Sequence, residues 1–206
     1  TNRNIPKKLN GSAISSFCED DKGNIFIASE NGGLSLFDPV SKRFLDSVPS
    51  EKVTGHNVHA ICLDDRNLYT GTFSNGLKRI NLATGKVRSF TEDNCPALAS
   101  NNVFSLHKSV DGPLYIGTSQ GCAKYDPDRD VISEIEELSG AFIYDITEDT
   151  KGYLWFACYY TGLYKYDKAH SIWKHYLHDP KVPQSICSNK VLNTFVDDRG
   201  NLYICT

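Results

Sequence analysis

One short segment recurs five times along this 206-residue chain. It reads Asn24-Ile-Phe-Ile-Ala-Ser29, Asn67-Leu-Tyr-Thr-Gly-Thr72, Pro113-Leu-Tyr-Ile-Gly-Thr118, Tyr153-Leu-Trp-Phe-Ala-Cys158 and Asn201-Leu-Tyr-Ile-Cys-Thr206, with copies starting 40 to 48 residues apart. Self-similarity at a near-fixed period marks a repeat architecture and limits the fold more than any other feature. Each copy is apolar or aromatic at its second, third and usually fourth positions, then small. Short runs of this kind fit buried strands.

The flanks repeat as well. An acidic turn precedes the segment, as in Asp20-Asp21-Lys22-Gly23 and Asp197-Asp198-Arg199-Gly200. Glycine supplies the positive φ of a tight hairpin, and aspartate bonds its own backbone. Asp64-Asp65-Arg66-Asn67 lacks the glycine. Before the turn lies another strand-like run: Ile14 to Cys18, Val58 to Leu63, Val103 to His107, Ile143 to Thr147. After the segment come a glycine turn and a third run, such as Gly33 to Phe37 and Gly162 to Tyr166. A polar turn (Asp38-Pro39, Asp126-Pro127) and a fourth run, such as Val131 to Ile135, end the unit. No window has helical periodicity.

This predicts an all-β chain of four-stranded antiparallel meanders. One such meander cannot bury both faces alone, and packing successive ones around an axis gives a β-propeller. The expected units span residues 13–57, 58–102, 103–140, 141–190 and 191–206, the last partial. Residues Thr1 to Leu9 are a candidate outer strand for the partial unit. Phe26, Tyr69, Tyr115, Trp155 and Tyr203 hold equivalent places and are expected to pack between blades.

Composition narrows the function. A net charge of -3 gives no basic footprint, and basic residues adjoin at most in isolated doublets such as Lys7-Lys8, so nucleic acid is not an expected ligand of this piece. No run approaches the about 18 apolar residues of a membrane helix. The chain starts at Thr1, has no Met and shows no signal peptide, which reads as an internal piece and leaves export open. Seven cysteines, an odd number without a C-x-x-C pair, suggest neither a zinc ribbon nor a disulfide framework. Cys62, Cys158 and Cys205 sit in apolar runs and are expected as small buried thiols.

No catalytic, metal or cofactor site is expected. The paired acids Asp20-Asp21, Asp64-Asp65, Glu148-Asp149 and Asp197-Asp198 recur at one turn of each repeat. They read as turn formers and not as the facing carboxylates of a glycosidase. His56 with His59, and His175 with His178, are three apart on strand-like runs and so point to opposite faces. No serine elbow, phosphate loop or dinucleotide fingerprint occurs.

Ile146–Asp167 and Phe17–Pro39 resemble two-component regulator propeller repeats: acidic turn with Gly, Asn-Leu-Trp/Tyr-Ile-Gly-Thr, Gly-Leu, then Tyr-Asp-Pro. The resemblance covers nearly the whole chain. It departs at Cys158 and Cys205, at Phe73-Ser74 and at Gly121-Cys122. It implies the periplasmic sensor region of a membrane-anchored hybrid two-component histidine kinase of Bacteroides-type bacteria. Such sensors have further propeller blades, and oligosaccharides or sugars switch on polysaccharide-use genes.

Meander topology places a binding site. The loop entering the first strand and the loop between the second and third share one rim. The acidic and Asp-Pro turns share the other. The first rim carries His56, Asn57, Phe73, Asn75, Asn101, Asn102, Gln120, Tyr159, Tyr160 and Asn189 as ligand-binding candidates. Amides, hydroxyls and exposed aromatics suit sugars. Three readings remain open: a non-catalytic glycan-sensing propeller, a protein-interaction or homodimerisation scaffold, and a carbohydrate-active propeller enzyme. The last requires two acids converging near the axis.

Overall fold

The computed structural model describes residue 9 and residues 11–45, 56–64 and 66–206. The Thr1–Leu9 strand expectation, Lys7-Lys8 and the Asp65 turn position fall largely or wholly outside the described residues. The chain divides into two compact units, Thr1–Phe90 and Thr91–Thr206. All sheets are antiparallel, and each runs in sequence order.

The first unit holds two four-stranded meanders. One comprises β1 (Ala13–Glu19), β2 (Ile25–Glu30), β3 (Gly33–Asp38) and β4 (Arg43–Leu45). The other comprises β5 (Val58–Asp64), β6 (Asn67–Thr72), β7 (Leu77–Asn81) and β8 (Val87–Phe90). The second unit holds β9 (Val103–Lys108), β10 (Leu114–Thr118), β11 (Gly121–Asp126) and β12 (Val131–Glu134), then β13 (Ile143–Glu148), β14 (Tyr153–Cys158), β15 (Gly162–Asp167) and β16 (Ile172–Tyr176). A two-stranded sheet of β17 (Asn193–Val196) and β18 (Leu202–Cys205) follows. Two single 3₁₀ turns, Pro96–Leu98 and Glu136–Leu138, are the described helical elements.

Period-2 alternation gives every central strand two apolar faces, and neighbouring sheets cover them. In the first unit Phe26, Ala28 and Leu36 of one meander meet Val58, Ile61, Leu68 and Ile80 of the next. In the second, Tyr115 and Cys122 meet Ile143, Ile146, Leu154 and Phe156. Each large side chain sealed this way contributes roughly 1.5–3 kcal/mol. Phe26, Tyr69 and Tyr115 are buried as the repeat requires. Trp155 is half-buried beside Ala157 and Leu163, and Tyr203 is exposed, because the β17–β18 sheet presents that face to solvent. Cys158 is buried, Cys62 half-buried and Cys205 exposed. Alternation explains Cys205: it falls on neither of the positions, Leu202 and Ile204, that pack on the preceding sheet.

Within each unit the first strands of consecutive sheets lie side by side without sharing a ladder. Side chains stitch them instead. Ser15 Oγ donates to the Val58 carbonyl at 2.6 Å. Asp145 accepts from both the backbone amide and the hydroxyl of Thr194 at 2.9 Å, and Thr147 Oγ1 donates to the Thr194 carbonyl at 3.0 Å.

The acidic turns at Asp20-Asp21, Glu148-Asp149 and Asp197-Asp198 form as Asp-bonded hairpins, and one acid of each of these pairs builds the turn. Asp20 Oδ1 accepts from the amides of Lys22 and Asn24. Asp149 does the same for Lys151 and Tyr153, and Asp197 for Arg199 and Asn201. Gly23, Gly152 and Gly200 then sit at φ near 80° (80°, 79° and 79°), where a side chain would be strained. Glu148, expected as a turn former with Asp149, does something else. It reaches across to the β9–β10 turn, accepting from Ser109 Oγ at 2.7 Å and from Lys168 Nζ at 2.7 Å.

Candidate ligand-binding rim

A β-bulge sits at the same place in the first strand of all four complete meanders. The register slips between Ile14 and Ser16, between Val58 and Ala60, opposite Gly117/Thr118 in β9, and between Ile143 and Asp145. The extra residues are Ser15, His59, Phe104 and Tyr144. A bulge leaves one residue out of the ladder and re-aims its side chain. Each bulge lies just past the loop that enters the sheet, so its residue is delivered to the rim.

In the first unit, the entry loop and the glycine turns are knitted by backbone bonds. Phe73 N donates to the Asn57 carbonyl at 3.0 Å, and Gly33 N to the His56 carbonyl at 2.9 Å. The bulge residue His59 meets Phe73 with ring centroids 6.1 Å apart. Burial lowers the pKa of His59, partly offset by Glu30, so the ring is held toward its neutral form. Phe73 is 45% exposed. The exposed Asn75 amide reaches the Phe73 carbonyl at 3.4 Å. The Asn57 amide oxygen is sealed from solvent without a partner.

The second unit repeats the pattern with larger rings. Tyr159 N donates to the Phe142 carbonyl, and Gly162 N to the Asn189 carbonyl, both at 2.9 Å. Here the bulge residue Tyr144 stacks on Tyr159 at 5.6 Å and 23°. Phe142 lies 5.4 Å from Tyr159 and 4.6 Å from Phe104. Phe104 stacks on Tyr144 at 5.8 Å and 25°. Tyr160 makes an edge contact with Tyr159 at 4.5 Å and is 70% exposed. Lys190 Nζ lies 4.5 Å over the Tyr159 ring. The neighbouring Tyr159 raises its pKa.

The other candidates of this unit divide by what their groups already do. The Asn102 carbonyl accepts from Ser119 N at 3.1 Å, and that of Gln120 from Gly140 N at 2.9 Å. The Asn101 amide oxygen accepts from Glu92 N, and that of Asn189 from His178 N at 2.6 Å. Asn101 and Asn189 therefore shape loops. Gln120 and Tyr160 project from the surface. Residue patterns missed Phe104, Phe142 and Tyr144, which with Lys190, a residue the rim loops already included, complete the aromatic patch. Such a patch offers flat apolar faces ringed by a cation and phenol groups, a surface for stacking a ring that also carries hydrogen-bonding groups.

The acids are committed elsewhere. Asp20, Asp149 and Asp197 serve their own turns, and Asp149 also takes the Trp155 indole N–H at 2.9 Å. Among the described residues no cluster of His, Cys, Asp and Glu could hold a metal ion.

The two-component regulator propeller family matches at residues 8–31 and 137–160, each covering a first strand, its acidic turn and a second strand. Comparison with curated proteins finds no match. Among solved structures, the extracellular domain of a protein described as a hybrid two-component system from B. thetaiotaomicron aligns with TM-score 0.79 and 18% identity over 93% of this chain and 25% of that one. Virginiamycin B lyase from Staphylococcus aureus aligns with TM-score 0.70 and 14% identity, covering 96% of this chain and 64% of that one. PorZ, a surface component of the type-IX secretion system of Porphyromonas gingivalis, gives 0.69 and 16% over 99% and 32%. The chain thus spans about a quarter of the first structure and under two thirds of the others. At these identities the likeness is one of fold, and that fold serves a lyase as well as sensors. The chain therefore has the β-propeller fold, shared with the extracellular domain of a hybrid two-component system from B. thetaiotaomicron, and two of its segments match two-component regulator propeller repeats.

Proposed function

We propose that this chain is a non-catalytic part of the periplasmic sensor region of a membrane-anchored hybrid two-component histidine kinase. Glycan-derived oligosaccharides or sugars are its ligands, and transcription of polysaccharide-use genes is its output. The carrying observation is the aromatic patch of Phe104, Phe142, Tyr144, Tyr159 and Tyr160, to which the repeated bulge contributes Phe104 and Tyr144. Among the sequence candidates, Tyr159, Tyr160 and Gln120 would contact the ligand in the second unit. His56, Asn57, Phe73 and Asn75 offer the corresponding surface of the first. Asn101, Asn102 and Asn189 hold the loops in place. The repeated acids Asp20, Asp149 and Asp197 are tied into their own turns and Glu148 into bonds with Ser109 and Lys168, which supports the non-catalytic reading.

The test is calorimetric titration of the chain with a panel of glycan fragments, repeated on Tyr144→Ala and Tyr160→Ala. Binding by one fragment class, weakened about tenfold by either substitution, is the expected result. Silence across the panel, with a concentration-dependent dimer that Tyr160→Ala disrupts, would replace sensing with a homodimerisation scaffold.

A further inference from the structure

A second concavity lies away from the aromatic rim. The meander of β9–β12 and that of β13–β16 leave between them a cavity of about 350 Å³. That volume suits one sugar-sized ring or a short chain. Tyr166 and Trp173 form one wall, stacked at 4.4 Å and 18°. Trp173 also rests 5.5 Å from the buried Phe156, so the core braces this wall from behind. It is preformed and needs no rearrangement to receive a flat ligand.

Tyr115 contributes to the floor. Only 2% of the residue is exposed, and its hydroxyl makes no hydrogen bond among the described residues. The equally buried Tyr125 shows the usual solution, donating to Asp130 at 2.7 Å. The polar side-chain atoms sealed without partners are those of Asn57, Ser105 and Thr161, so the Tyr115 oxygen is not shut off from the cavity it lines. A ligand atom would satisfy it.

The charge at the mouth is uneven. Glu134, Glu136 and Glu137 line it, opposed by Lys124 alone. None of the four joins an ion pair among the described residues. Carboxylates beside an aromatic wall are a recognition set for a cation, which gains from both the charges and the ring faces. We propose that this cavity binds a small protonated amine of sugar-ring size. Its ammonium group faces the three glutamates, its body lies on Tyr166–Trp173, and a polar atom bonds the Tyr115 hydroxyl. This reading is independent of the rim.

Glucosamine and glucose separate the possibilities, because they differ at one position in ammonium against hydroxyl. Calorimetry, with NMR shifts of the Trp173 indole N–H, reads both. Glucosamine is expected to bind at least about tenfold more tightly than glucose and to shift the Trp173 signal. The triple substitution Glu134→Gln, Glu136→Gln, Glu137→Gln should erase that preference while leaving the Trp173 signal of the free chain in place. Tyr115→Phe, which keeps the packing, should weaken glucosamine about fivefold. Equal binding of the two sugars, silence to both at millimolar concentration, or full glucosamine affinity in the triple variant would each overturn the proposal.

Discussion

Glu148→Gln is the sharpest test of how neighbouring sheets are held together. The Glu148 side chain is 6% exposed and lies between the β9–β10 turn and Lys168. One oxygen meets Lys168 Nζ at 2.7 Å. The other accepts from Ser109 Oγ at 2.7 Å, faces His107 Nε2 at 3.2 Å and accepts from Val110 N at 3.3 Å. Glutamine has the same shape but turns one acceptor into a donor, so an N–H must face either the ammonium or the cluster of donors. Two unit charges 2.7 Å apart attract by about 6 kcal/mol at an effective dielectric of 20, before the cost of removing water. Breaking a buried pair from one side costs about 3–5 kcal/mol. Lys168 is 15% exposed and keeps Asp111 at 2.9 Å, which places the expected loss near the bottom of that range, about 3 kcal/mol. Urea unfolding followed by tryptophan fluorescence reads it, since Trp155 and Trp173 both lie in the unit that carries the clasp.

The pH dependence fixes the mechanism. Burial pushes the Glu148 carboxyl up, but hydrogen bonds from Lys168, Ser109 and His107 outweigh burial and hold it below the ordinary value. A depressed carboxyl stabilises the fold above its unfolded pKa of about 4.3, and that contribution disappears as pH falls through the folded value. For Lys168, burial is outweighed by Glu148 and Asp111, which raise it. Its contribution is complete below about pH 10 and is lost as pH rises through the raised value. The wild-type advantage over Glu148→Gln should therefore be level from about pH 5 to pH 10 and shrink on acidification. A loss under about 0.5 kcal/mol at pH 7, or a difference that persists at acid pH, would show the clasp to be incidental.

Four further outcomes follow from packing and hydrogen bonding. Gly117→Ala should cost about 2–3 kcal/mol in urea unfolding, because a Cβ there would overlap Ser105 Oγ and lie 2.7 Å from Ile143 Cγ2. Ser105→Ala should instead stabilise by about 1 kcal/mol, since it removes a buried hydroxyl with no partner, and it should soften the Gly117→Ala defect in the double variant. Thiol labelling at neutral pH should reach the exposed Cys187 and Cys205 first. Burial pushes the Cys158 thiol up to about 12 and Cys122 higher still, so both should react only after unfolding. Asp149→Ala, which strips Lys151, Tyr153 and the Trp155 indole of their acceptor, should lower the urea midpoint and shift the tryptophan emission.

The sheets were legible in the sequence because each one restates the same local chemistry. An Asp and a Gly close the hairpin, and an apolar run at period 2 fills the strand. What stayed hidden was everything set by a neighbouring sheet. Glu148 and Asp149 are adjacent acids at a turn, and nothing local distinguishes them. Only the arrival of Ser109 from the preceding sheet makes one a clasp and leaves the other a turn former. The exposure of Tyr203 has the same origin. Its place in the repeat is that of Tyr115, but burial depends on the face opposite, and the repeat cannot report that face.

The rim was hidden for a sharper reason. Period-2 reading assigns faces by parity, and a single extra residue reverses parity from that point on. The bulge therefore removes Phe104 and Tyr144 from the pattern that sequence reading follows, at the place where they become available to a ligand. The loops Tyr159-Tyr160 and Phe73-Ser74-Asn75 were visible because they interrupt the pattern; the bulge residues were not, because they hide within it. Side by side, the bulge positions still carry a signal. They hold Ser15, His59, Phe104 and Tyr144, while the residue before each is Ile14, Val58, Val103 or Ile143. An invariant β-branched residue followed by a variable one is what a fixed bulge with an exchangeable side chain requires. The first residue anchors the strand against its neighbour, and Val58, Val103 and Ile143 are fully buried. The second lies outside the ladder, so a repeat can change it from the Ser15 that bonds the next sheet to the rings of His59, Phe104 and Tyr144 while the ladder keeps its register. That separation lets the stacked pairs Phe104–Tyr144 and Tyr144–Tyr159 gather in one unit while the sheets beneath keep a common plan.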